Sequence, residues 1–160
     1  MNVTECISFL GYSSIYPDLD LFMINNGIKK RPQDTGGTEH LKTPDGNAIL
    51  GFQNAEVFKV EKLLPVKSDG EFIFSEIDVY PENEGLLPYG LTFNDNLPSL
   101  VKKLGDIIED FTRLLPEKRV VSFFYDFLVI VIFLDSHDKM SLIRFYLPDI
   151  YHKNNLGINI

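Results

Sequence analysis

Three histidines, one cysteine and twenty-three carboxylates carry the acid–base, nucleophilic and metal-binding potential of this 160-residue chain. His40, His137 and His152 fall in no HxH, HExxH or HxxxH pattern, so the spacing that aims two imidazoles at one metal is missing. Glu39 and His40 are adjacent in a polar stretch, where they form a candidate acid–base pair for a small hydrolytic enzyme. His137 lies in a turn sequence and reads as solvated, and His152 in the tail reads as surface. Cys6 stands among Ile7, Phe9 and Leu10 and reads as a buried structural thiol rather than a nucleophile. Gly36-Gly37-Thr38 is followed by neither GxxxxGK[ST] nor GxGxxG, so no phosphate cradle is expected there.

The carboxylates are patterned. Asp69, Glu71, Glu76, Asp78, Glu82, Glu84 and Asp95 all fall within residues 68–101, a window without Lys or Arg. A one-sided run of that length creates a local negative field. One reading is a solvated edge strand whose charges block edge-to-edge pairing. The other is a docking face for a basic partner, with Tyr80 and Tyr89 nearby as large, rigid contact groups. The candidate partner-binding residues are Glu76, Asp78, Tyr80, Glu82, Glu84 and Tyr89, with Asp135 and Asp138 from a later turn.

Net charge of −8 disfavours a nucleic-acid partner, which needs clustered Lys and Arg to displace counterions. A single cysteine rules out an intrachain disulfide and fits a reducing compartment. Residues 1–16 lack the basic start and apolar run of a signal peptide. The longest apolar run, Phe127 to Leu134, is too short to span a bilayer as a helix. These features point to a soluble, cytoplasmic protein with no cofactor, metal or membrane partner, and a monomer is expected though the sequence does not give the oligomeric state.

The elements that must position these groups follow from patterning. Residues 3–11 read as a short helix with Thr4 as N-cap. Residues 17–27 read as a second, with Pro17 in the first turn and Gly27 as stop. Residues 29–46 read as a long polar loop ending at the Asp45-Gly46 turn. Strands are expected at about 48–53, 56–62 and 71–80, the last slipping register around Ser75-Glu76 as a bulge would. A connection over 81–90 leads to a helix at 96–105, capped by Asn94 or Asn96, with Leu97, Leu100, Val101 and Leu104 as its apolar stripe. Residues 106–118 read as helix or loop, 119–125, 127–135 and 140–147 as strands, and the tail from Pro148 as irregular. Phe127 to Leu134 shows no alternation, which marks a central strand buried on both faces.

Helix-then-three-strands thus occurs twice, in halves of about 1–84 and 85–160, each too small to bury a core alone. The expected fold is α+β: one domain in which two such meanders join into an antiparallel sheet with the helices packed on it. A mixed sheet with interleaved strands is the alternative.

Several segments together resemble the immunity proteins of contact-dependent growth inhibition and other polymorphic toxin systems of bacteria. They are Lys29-Lys30-Arg31-Pro32, the strand Gly70-Glu71-Phe72-Ile73-Phe74-Ser75-Glu76-Ile77, and the turn Leu87-Pro88-Tyr89-Gly90-Leu91-Thr92-Phe93 before a helix ending Leu104-Gly105. The hairpin of Tyr125-Asp126-Phe127-Leu128-Val129-Ile130-Val131 and Met140-Ser141-Leu142-Ile143-Arg144-Phe145 completes the likeness, which covers most of residues 17–148. The pattern is also similar to small tandem helix-plus-meander inhibitor and envelope-assembly folds, which are exported. The immunity resemblance implies a cytoplasmic protein without enzymatic activity or catalytic residues. It implies binding to the C-terminal domain of a toxin, often a basic nuclease, and occlusion of its active site. A structural adaptor that recruits an extended peptide to a sheet edge is a further alternative.

Overall fold

The structure, a computed structural model, describes residues 1–33, 36–112 and 119–160. Its most buried strand is Leu128–Leu134, buried at every position. Leu128, Ile130, Ile132 and Leu134 point into the main core, while Val129, Val131 and Phe133 join a second, smaller cluster on the opposite face. This is the two-sided burial that an unbroken apolar run demands, except at Phe127, which was expected to begin the buried run and instead lies exposed in the turn before the strand.

Seven strands form one antiparallel sheet: β1 (Glu39–Lys42), β2 (Ala48–Asn54), β3 (Phe72–Val79), β4 (Ile107–Phe111), β5 (Arg119–Tyr125), β6 (Leu128–Leu134) and β7 (Met140–Tyr146). Their order is β1-β2-β3-β7-β6-β5-β4, with every pairing antiparallel. The fold is therefore α+β, and the strands of the two halves stay contiguous rather than interleaved. The halves meet along one seam, where β3 pairs β7 from Glu76↔Tyr146 to Val79↔Ile143.

Helices α1 (Val3–Ile7), α2 (Pro17–Asn25), α3 (Ala55–Glu61) and α4 (Leu97–Leu104) send Val3, Cys6, Leu19, Phe22, Met23, Phe58, Leu100 and Leu104 into the main core. Helix α5 (Ile150–Leu156) seats His152 against Tyr146, which packs on the second cluster. Among the described residues no helix is long and apolar enough to cross a membrane.

Several elements differ from the sequence expectation. Of residues 56–62, expected as a strand, 56–61 lie in helix α3: Asn54 accepts a hydrogen bond from the Glu56 N–H at 2.9 Å, and this N-cap favours helix over the β-prone Val57-Phe58. The polar stretch 29–46 contains β1, an edge strand too short to show a pattern. Residues 107–111 are the edge strand β4 rather than helix or loop, while 113–118 of that expectation lie outside the described residues. The tail is not irregular: Asp149 and His152 close a capping box that starts α5. Helix α1 ends at Ile7, capped by Asn2 rather than Thr4, and α2 ends at Asn25.

The bulge in β3 is where the alternation slips. Gly51 faces Glu76 and Phe52 faces Phe74, so Ser75 is the extra residue. Asn96, not Asn94, caps α4 by accepting from the Ser99 N–H at 3.0 Å, and Gly105 (φ 90°) ends the helix. Leu100 and Leu104 of the expected stripe are buried, while Val101 is 36% exposed.

Candidate functional site

Three connections converge at one end of the sheet. They are the β1–β2 turn (43–47), the segment leaving β3 at Tyr80, and the β6–β7 turn (135–139). The Tyr80 N–H donates to Asn47 O at 2.9 Å and ties the first two together.

Two of the connections each fix one carboxylate by local hydrogen bonds. Asp45 accepts from the Thr43 hydroxyl at 2.7 Å and the Asn47 N–H at 2.9 Å, and these donors hold it below the usual carboxylate range. Asp135 accepts from the His137 N–H at 2.8 Å and the Lys139 N–H at 3.0 Å. The Lys139 and His137 amides likewise hold its carboxyl low. Asp138 completes that turn with φ 57° and is exposed.

Glu82 and Glu84 flank a buried anchor. Asn83 accepts from the Met1 amino group at 3.0 Å and donates to Met1 O at 3.0 Å, which leaves the two glutamates exposed on either side. Gly85 is required here: a Cβ would fall 1.6 Å from Met1 O. One end of the sheet therefore carries Asp45, Glu82, Glu84, Asp135 and Asp138, with Lys42, Lys139 and the paired Arg119–Asp110 nearby.

The remaining expected site residues go elsewhere. Asp78 is not a surface carboxylate. It is 8% exposed and binds Arg144, directly opposite on β7, through two hydrogen bonds of 2.6 and 2.9 Å. Glu76 reaches past Gly51 to His40 Nε2 at 2.8 Å. The register explains this: His40, Gly51 and Glu76 occupy one row across β1, β2 and β3, and a Cβ on Gly51 would lie 2.4 Å from Glu76 Cγ. His40 is thus partnered by Glu76, while Glu39 accepts from the Gln33 N–H at 2.5 Å, so each of the adjacent residues bonds a partner other than its neighbour.

Tyr80 is half-buried at the acidic end. Tyr89 lies at the opposite end, where its hydroxyl donates to Asp126 of the β5–β6 turn at 2.9 Å and its ring meets Tyr125 edge-on. Asp95 is committed to Lys103 at 2.7 Å.

His152 is buried, not a surface residue, and bonds Tyr146 at 2.9 Å. Cys6 is fully buried, and burial, then Glu5, pushes its thiol pKa up, so it is structural as expected. Among the described residues no three His, Cys, Asp or Glu side chains gather as a metal ion would need. Asp45 was legible only as a turn former; its place beside the β3 exit follows from the β1–β2 pairing, which short polar strands do not announce.

These features define an α+β protein whose antiparallel sheet presents a preorganised acidic end. No protein-family model and no curated protein matches the chain. Among solved structures it is similar to the crystal structure of a DUF4309 family protein, YjgB, from Bacillus subtilis, at 12% identity over 80% of this chain and 76% of that one, with a TM-score of 0.45.

Proposed function

We propose that this chain is a cytoplasmic immunity protein that binds and neutralises a basic toxin domain without catalysing a reaction. The observation that carries the reading is the convergence of Asp45, Glu82, Glu84, Asp135 and Asp138 at one end of the sheet. Asp45 and Asp135 are fixed by backbone and hydroxyl donors, so little ordering is needed on binding. A fixed negative surface steers a cationic partner and speeds its association. The interface is accordingly narrower than the sequence run implied: Glu82, Glu84, Asp135, Asp138 and Tyr80 stay in it, while Glu76, Asp78 and Tyr89 serve the fold.

The test begins with gene context: where a large secreted protein is encoded immediately upstream, its C-terminal domain is co-expressed with this chain. Wild-type chain should restore growth. The Glu82→Lys/Glu84→Lys variant should bind that domain about tenfold more slowly at low salt, with the difference fading at high ionic strength. A domain that stays lethal beside abundant, folded wild-type chain refutes the proposal.

A further inference from the structure

A second site lies away from the acidic end. Between α1 and the β5–β6 turn a groove of about 600 Å³ opens, within the range of small-molecule pockets. Its walls are mainly apolar: Leu10, Leu64, Pro88, Leu128 and Leu147, with Phe127 at the mouth.

Backbone strain is concentrated on this groove. Tyr89 (φ 61°), Asp126 (φ 52°) and Phe127 (φ 62°) line it, and they are three of the four non-glycine residues with left-handed backbone among those described. Asp126 and Phe127 are the two central residues of a tight hairpin turn, a place that favours Asn and Gly. A bulky aromatic there is costly, and strain of this kind collects at functional sites. The fold gains little in return, because Phe127 is 58% exposed and belongs to neither apolar cluster.

The charges at the groove are unequal in availability. Asp126 already accepts the Tyr89 hydroxyl. Lys67 has its ammonium 5.4 Å from the centre of the Tyr12 ring, and among the described residues no carboxylate lies within ion-pairing distance of it. An apolar trough with one cation that no carboxylate pairs matches a ligand that is apolar along its length and anionic at one end.

We propose that this groove binds an amphiphilic carboxylic acid, its apolar chain along Leu10, Leu64 and Leu128 beneath Phe127 and its carboxylate on Lys67. The site is separate from the acidic end, so toxin binding and ligand binding stand or fall independently.

The test uses the full chain and displacement of the fluorescent anion 1-anilinonaphthalene-8-sulfonate by decanoate, decanol and decyltrimethylammonium, each below its micellar concentration. Decanoate should compete best. Lys67→Met, which keeps the apolar stem, should weaken decanoate about tenfold and leave decanol unchanged. Phe127→Gly should weaken both about tenfold while the protein stays folded by circular dichroism, since glycine suits that backbone. Failure of decanoate to displace the probe overturns the proposal. So does decanoate affinity unaffected by both substitutions, or equal competition by the ammonium.

Discussion

Replacing Asp78 by Asn tests whether its carboxylate belongs to the fold or to the interface. The side chain is 12% exposed and Arg144 is 34% exposed, and the two are joined by hydrogen bonds of 2.6 and 2.9 Å. Hydrogen bonds to charged partners contribute about 1.5–3 kcal/mol. Asn keeps one acceptor, and a guanidinium one-third open to water rehydrates in part, so the expected loss is about 2 kcal/mol. For a chain of this size that lowers the melting temperature by about 4–8 °C. Urea denaturation should show the same loss at an unchanged slope. The double change Asp78→Leu with Arg144→Met removes both charges from the sheet and should recover most of the stability. A loss under about 0.5 kcal/mol for Asp78→Asn, or a double variant as unstable as the two single changes added together, would refute the assignment. Association with the proposed basic partner should be unaffected by Asp78→Asn.

Gly85→Ala drives a methyl group into Met1 O and should detach the Asn83 anchor, costing about 2–4 kcal/mol in chemical denaturation. Asp45, Asp95 and Asp135 have folded pKa values below the unfolded value of about 3.9. For Asp95, burial pushes the pKa up but is outweighed by Lys103, the Thr92 N–H and the Ser99 hydroxyl. These groups thus add stability above pH ~4 that is lost as pH falls through their folded pKa values, and stability measured from pH 6 to pH 2 should fall in that window. Carboxyl titrations by NMR that place all three at or above the unfolded value would contradict this.

Much of the architecture was readable because burial leaves a mark in local sequence. β6 announces itself by seven consecutive buried apolar residues, and α4 by Asn96, Leu100, Leu104 and Gly105 at cap and stripe positions. The edges were not readable: β1 and β4 are short and partly exposed, so alternation has nothing to act on. Helices α3 and α5 are set by the side-chain caps of Asn54 and Asp149, which local propensity underweights. At the candidate site, the exposure of Glu82, Glu84 and Asp138 was legible because loop carboxylates stay solvated. Asp78 was not, since the arginine that neutralises it is 66 residues away in the chain and becomes a neighbour only through strand register.

That separation also bears on the order of assembly. Closing a chain segment costs entropy that grows as (3/2)RT ln n. The seam joins Asp78 to Arg144 across 66 residues, while Ser141 reaches Phe133 across 8. The difference is about 2 kcal/mol, so the hairpin of β6 and β7 is the cheaper structure to form early. β7 then offers its free edge as a template on which β3 docks, and the N-terminal meander folds onto a surface that already exists. Substitutions on the β3 side of the seam, such as Ile77→Val, should therefore speed unfolding more than they slow folding.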